Sequence, residues 1–334
     1  MTSGPPTSIR QLDPSYLEYN NVHGAIQVIM NAAIFLALLF AASFADEIWS
    51  VGLLVVAIGI ASHRLFFPAH DCMHESLFRS KRINEACGYL LAGMLGTPFH
   101  SMRDQHMLHH RFVGTTQDPG AGDYFVRFDT RHQMVGFLIA PLLGITVLTR
   151  LFGYVGRFSR RRDHISKAAG TRQSSKKLLL GLSSVVGVQL ALCALLTHGF
   201  QLGELWRYPV FVLIPVTLGF LFLNRLRMFS EHGSIDYGKS DYTIGLRPTN
   251  RSIVASPVER VLICGGNFNF HNEHHRFPKV PGCHLRRMHE ESLNDMDPWD
   301  SRATYWRTLA ELWNNLSPQR THHSCSRTAV GDQP

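Results

Sequence analysis

Long apolar runs alternate with polar stretches along this chain, and the run lengths set the architecture. Residues 24–45 form the first run, with Gln27 and Asn31 as its strongly polar members, and residues 49–67 form the second. Each is about 20 residues, the length an α-helix needs to cross a hydrocarbon core about 30 Å thick. The link between them, Asp46-Glu47, is short enough only for a tight helical hairpin. Runs 178–200 and 208–224 repeat the arrangement further on. A fifth stretch, 134–153, is broken by Pro141 and carries Arg150. Those two residues mark an interfacial or re-entrant helix rather than a crossing. The pattern predicts an all-α integral membrane protein with two transmembrane helical hairpins (four spans), an interfacial helix and a helical cap. Residues 24–317 read as a single membrane domain. Residues 1–23, polar and carrying Pro5, Pro6 and Pro14, and the tail 318–334 read as disordered.

Charge orients the hairpins. The segment 155–177 holds Arg157, Arg160, Arg161, Arg162, Lys167, Arg172, Lys176 and Lys177 against one acid, Asp163. An excess of Lys and Arg beside spans marks the cytoplasmic side. The links at 46–48 and 201–207 contain acids and are poor in Lys and Arg, which suits the outer side. With two hairpins and a non-crossing 134–153, the N-terminus and every polar stretch rich in histidine fall on the cytoplasmic side. The net charge of +8 flanks apolar spans and is not interleaved with aromatics on a soluble platform, so membrane orientation explains it better than nucleic acid. Six cysteines occur singly, without a C-x-x-C pair, which argues against a disulfide framework and a thiolate zinc site.

The polar stretches carry three histidine clusters: His70-Asp71-Cys72-Met73-His74, His106-Met107-Leu108-His109-His110 and His271-Asn272-Glu273-His274-His275. His70 and His74 are neighbours on one helical face, four residues apart. The other two clusters repeat the pattern H-x-x-H-H, whose members lie at i, i+3 and i+4 on one face. Imidazole is the commonest protein metal ligand, and such spacing aims several at one point. His232, just past the last span, is a further candidate. The set His70, His74, His106, His109, His110, His232, His271, His274 and His275 is too large for one ion and suits two iron ions with open positions for oxygen. Asp71, Glu75, Asp118, Glu231 and Glu273 stand beside these residues, placed to accept the second ring N–H of a ligand and fix its tautomer. Cys72 lies between two histidines of a helix and faces away from them. The isolated His23, His63, His132, His164, His198, His284, His289, His322 and His323 read as surface or satisfied core residues. A metal transporter is the alternative from another class, but transporter ligands lie near the bilayer midplane, whereas these clusters lie outside the runs.

In these boxes the sequence resembles the membrane-bound fatty-acid desaturase superfamily, over about residues 24–290. The superfamily pattern of H-x-x-x-H followed by two H-x-x-H-H boxes is matched by HDCMH, HMLHH and HNEHH. Residues His109-His110-Arg111-Phe112-Val113-Gly114 and Asp118-Pro119 are similar to the segment after the second box in lipid desaturases and carotenoid oxygenases. Asn269-Phe270 before the third box, with Phe277-Pro278 and Val280-Pro281-Gly282 after it, look like acyl-lipid and sphingolipid desaturases. His232 matches the superfamily's additional histidine. Met228 stands where some members carry an asparagine that completes one iron's shell through water. The resemblance implies two Fe2+ ions, O2 as co-substrate and a membrane lipid or acyl substrate. It also implies an external electron donor of ferredoxin or cytochrome b5 type, with its reductase. The reaction would be desaturation of an unactivated C–C unit, or hydroxylation or ketolation of an acyl chain, a carotenoid or a small carrier-bound substrate.

Overall fold

The computed structural model describes residues 12–149, 175–233, 250–292, 301–302 and 304–316. The tail 318–334 lies outside the described residues, and so does most of the basic segment 155–177. Four helical stretches are long and apolar enough to cross a membrane: Pro14–Ala42, Ile48–Met73, Lys176–Leu196 and Leu202–His232. They contain helices α1 (Asn21–Ala42), α2 (Ile48–Met73), α6 (Ser175–Leu196) and α7 (Phe220–His232). Two π-helical turns, Pro209–Leu213 and Pro215–Gly219, lead into α7. The other helices are α3 (Lys81–Met94), α4 (Phe99–Phe112), α5 (Arg131–Ile139), α8 (Pro257–Leu262), α9 (His271–Arg276), α10 (Gly282–Ser292) and α11 (Tyr305–Asn315). Among the described residues the strands are a two-residue parallel pair, Ser252–Ile253 with Ser301–Arg302. The all-α membrane architecture expected from the run lengths is the one observed.

The helices start where side chains satisfy their first N–H groups. The Asn20 side chain accepts from His23 N at 2.9 Å to open α1. Thr130 with Gln133, and Ser256 with Glu259, form reciprocal capping boxes at α5 and α8. The main core lies between α1, α2, α3, α6 and the π-helical turns, with Phe35, Leu39, Ile58, Leu65, Leu91 and Phe211 buried. Apolar residues of the same helices, among them Ile29, Phe40, Leu53, Val56 and Leu190, are exposed on the outside of the bundle. Helices whose apolar residues face both inward and outward suit a lipid surround. Where α2 crosses the last span, a Cβ on Gly219 would meet Gly59 Cα at 3.0 Å, so glycine at both positions favours this close approach.

Both hairpin links meet at one end of the bundle. Arg207 Nη2 pairs with Asp46 at 2.6 Å, its Nη1 donates to Ala42 O and Ala45 O at 3.0 and 2.8 Å, and its Nε bonds Glu204. The histidine boxes lie beyond the opposite ends of the spans.

Three boundaries differ from the sequence expectation. The second span does not stop at 67: α2 runs on through Pro68 to Met73, because a helix already buried on one side needs no further apolar residues to continue. The last span likewise continues past 224 to His232. The expected disorder at 1–23 does not reach residues 12–20, where Pro14–Leu17 forms a 3-10 turn and Leu12 and Tyr16 are buried against Phe270, Phe277 and Leu285. The stretch 134–153 begins inside α5, and the break at Pro141 falls just after that helix ends at Ile139.

Candidate metal centre

Helices α2 and α7 project past their apolar portions and end on histidines, and α4 and α9 close over them. The nine candidate histidines gather in two groups. His70, His74, His106, His110 and His274 form one, and His109, His232, His271 and His275 the other; within each, the donor atoms lie within 4.8 Å of one another. Each H-x-x-H-H box therefore divides. The second box sends His106 and His110 to the five-histidine group and His109 to the four-histidine group. The third box does the reverse, sending His274 to the first and His271 with His275 to the second. The groups abut, with the rings of His110 and His275 stacked at 4.1 Å.

The contacts inside each group are between Nε2 atoms. His106 Nε2 lies 2.8 Å from His70 Nε2, 2.8 Å from His74 Nε2 and 3.0 Å from His110 Nε2. His274 Nε2 is 3.0 Å from His110 Nε2. In the other group His271 Nε2 lies 2.8 Å from His232 Nε2 and 3.1 Å from His275 Nε2. A neutral imidazole has one N–H, so where Nδ1 carries it the Nε2 lone pairs face one another, an arrangement that favours a cation between them. His109 shows the preference plainly. Its Nδ1 donates to Asp118 Oδ2 at 2.8 Å, while its buried Nε2 has no hydrogen-bond partner. Burial, followed by the neighbouring imidazoles, holds His74, His106, His271, His274 and His275 well below the usual histidine range and His110 at about 3. These rings are thus neutral at physiological pH, as ligation requires. The donor set fits a pair of metal ions.

The flanking acids separate by what they touch. Asp118 accepts from His109, from Gly120 N at 2.7 Å and from the buried Tyr124 hydroxyl. Asp71 Oδ1 lies 3.2 Å from His70 Nδ1. Its other oxygen crowds Gly282, where a Cβ would come within 2.8 Å. Glu231 stands on the ligating side of its histidine instead of behind it. Its Oε2 is 3.6 Å from His271 Nε2 and bonds Arg227, and its Oε1 accepts from Tyr305 at 2.7 Å. Two of these acids have partners outside the boxes. Glu75 touches no imidazole; just past the end of α2, at φ 57°, it turns to Arg103 at 2.9 Å, Lys81 at 3.4 Å and Lys279 at 3.5 Å. Glu273 faces away from the boxes and accepts from His289 Nδ1 at 2.8 Å and from Ser252.

Sequence reasoning missed Asn250, whose Oδ1 lies 3.0 Å from His232 Nδ1, and the two tyrosines, Tyr124 and Tyr305. It also missed Phe268. That ring lies 4.3 Å from His70 and 4.8 Å from His271, with the Arg227 guanidinium 4.7 Å from it. None of these has a local sequence signal. Met228 is buried among Tyr124, Phe128 and Phe229. Of the isolated histidines, His289, His198 and His284 are hydrogen-bonded, to Glu273, Ser43 O and Glu18 O. His63 departs from the expected satisfied state, for it is buried with neither ring nitrogen bonded. His164, His322 and His323 lie outside the described residues.

Comparison with known proteins agrees with this geometry. The model of the family described as "Fatty acid desaturase" matches residues 47–309. A fatty acid desaturase of Bacillus subtilis is 25% identical over 298 residues, covering 81% of this chain and 76% of that protein. A chloroplastic omega-3 fatty acid desaturase of Glycine max is 25% identical over 252 residues, and the chain spans 49% of its length. A beta-carotene ketolase of a Paracoccus species is 25% identical over 225 residues, with 67% of this chain and 72% of that protein covered. Spans, boxes and family match converge: the chain belongs to the membrane fatty-acid desaturase family of oxidoreductases.

Proposed function

We propose that the protein is an oxygen-dependent di-iron desaturase that removes two hydrogens from an unactivated C–C unit of a lipid acyl chain. The observation that carries this reading is the gathering of nine imidazoles into two adjoining groups at the ends of membrane spans. His70, His74, His106, His110 and His274 would hold one iron, and His109, His232, His271 and His275 the other. When bound, the pair supplies the oxidising power that O2 and two electrons generate for C–H cleavage. The chain's own residues do the rest. Asp118 keeps the His109 proton on Nδ1, and Asp71 does the same for His70, so that both Nε2 lone pairs face the metals. Phe66 and Phe268 place apolar rings against His70 and exclude water from that side. The spans hold the acyl substrate at the level of the ligands, where positioning of one methylene decides the product.

The electrons come from an external carrier of ferredoxin or cytochrome b5 type with its reductase, docked on the cytoplasmic face that holds the centre. That sidedness follows from the basic segment 155–177 under the positive-inside rule. A hydroxylase or ketolase reading is favoured by one observation, the similarity to a carotene ketolase. Expression in a host lacking the activity, with mass spectrometry of total lipids, separates the two. A lipid lighter by two hydrogens is the expected result. Gain of one oxygen points to the hydroxylase, and gain of one oxygen with loss of two hydrogens to the ketolase. Purified protein that binds zinc without iron and consumes no oxygen with a reductant overturns both.

A further inference from the structure

A cavity of about 180 Å³ lies behind the five-histidine group, lined in part by Cys72, Glu75, Lys81, Glu85, Arg103 and Lys177. Cys72 sits between His70 and His74 on α2 and so points to the opposite side of that helix from them. The cavity is separate from the metal centre but built on the same backbone. Glu75 follows His74 directly, and Arg103 precedes His106 by about one turn.

Its depth is set by the spans. Cys72 is in the last turn of Ile48–Met73, and Lys177 is in the first turn of Lys176–Leu196. The apolar run of α2 ends at Phe67 and that of α6 begins at Leu178, so the cavity lies just past the apolar part of both spans, on the side where lipid head groups meet water. Exposed Ile83, Leu179 and Leu180 stand next to it in sequence and supply an apolar flank. Its charge is mixed. Three cations, Lys81, Arg103 and Lys177, face two carboxylates, Glu75 and Glu85, leaving one positive charge in excess. Glu75 binds Arg103 at 2.9 Å and Lys81 at 3.4 Å, which draws cations from α3 and α4 together. It does so from a left-handed backbone conformation at φ 57°, uncommon for a residue with a side chain. Glu85 is half-exposed on the same wall, with His100 Nε2 at 3.0 Å. Water occupies about 30 Å³ per molecule, so the volume admits a phosphate with a short substituent and no acyl chain.

We propose that this cavity binds the head group of a membrane phospholipid, with the phosphodiester on Lys81, Arg103 and Lys177 and an ammonium group on Glu85. One excess positive charge among the lining side chains matches one phosphodiester, and the half-exposed Glu85 matches the ammonium. A bound head group lies about one helical turn from His74 and His106, on the far side of the helices that carry them. The site rests on the membrane reading and not on the reaction.

Binding to the full-length protein, purified in lipid-free detergent, tests it by thermophoresis. The probes are dihexanoyl phosphatidylethanolamine, dihexanoyl phosphatidylglycerol, dihexanoylglycerol and inorganic phosphate. The ethanolamine lipid is expected to bind tightest and dihexanoylglycerol not at all. Lys177→Gln, at an exposed position that leaves the fold intact, is expected to weaken phospholipid binding about tenfold. Glu85→Gln is expected to abolish the preference for ethanolamine over glycerol. Equal binding of dihexanoylglycerol and the phospholipids overturns the proposal, as does unchanged affinity in Lys177→Gln. Inorganic phosphate that binds as tightly as the lipids overturns the lipid assignment. Product formation by the same protein reports separately on the desaturase reading.

Discussion

The two histidine groups are unequal, and the inequality runs in opposite directions for ligands and for support. The first has five imidazoles, one on the membrane-spanning α2 and one at its cap, and behind it stands one carboxylate, Asp71, at 3.2 Å from His70. The second has four imidazoles and a denser polar surround. Asp118 and Tyr124 stand behind His109, Asn250 behind His232, and Glu231 with Tyr305 beside His271. The group poorer in nitrogen donors has two of them, His109 and His232, oriented by an oxygen on Nδ1, against one, His70, in the other. Ligand number secures the first position; orientation by neighbouring oxygens secures the second and leaves room there for something other than histidine.

The largest test removes a ligand from each side. His106→Ala is expected to abolish product formation and to lower iron from about two per chain to about one, since it takes one donor from the five-histidine group. His271→Ala is expected to abolish product too. Both variants should still insert in the membrane and elute as the parent does. Near-normal product from either would remove that residue from the metal shell. Replacing the supporting acids gives a smaller effect. Asp118→Asn should cost roughly 10- to 100-fold in iron affinity or turnover, and Asp71→Asn should cost less, because its contact is longer. Equal losses would abolish the asymmetry of support. The smallest effect concerns Met228, one helical turn before His232. Met228→Asn places an amide near the four-histidine group and should slow iron loss to a chelator a few-fold at that position. Acceleration of iron loss would show that the buried thioether matters for packing against Tyr124 and Phe229 instead.

All nine clustered histidines and the four spans were legible in the sequence, because metal-ligand spacing and apolar length are local signals. The division of each H-x-x-H-H box between two groups was not. Residues at i, i+3 and i+4 share a broad face, but neighbouring rings on that face can still aim at different points when two groups adjoin. The acids show the limit more sharply. Glu75 stands next to His74 in sequence, yet it lies past the helix end, where the chain turns its carboxylate toward Arg103. Glu273 is two residues from His271, and in a helix that offset points to another side, here to His289. Asn250, Tyr124, Tyr305 and Phe268 come from loops and helices whose meeting depends on the whole fold. The span ends were set too short because hydropathy stops at the bilayer and α2 and α7 do not.

The unbroken run of α2 from Ile48 to Met73 makes membrane and metal mechanically continuous. A spanning helix answers a thinner or thicker bilayer by changing its tilt. The lower part of α2 is locked to its neighbour at Gly59 and Gly219, and its upper part carries His70 directly and His74 at its cap. A change of tilt in α2 would displace these two imidazoles relative to His106 and His110 on α4. The lipid surround is in that sense a component of the coordination geometry, for the two spans that meet at this contact carry ligands of both groups, α2 His70 and α7 His232.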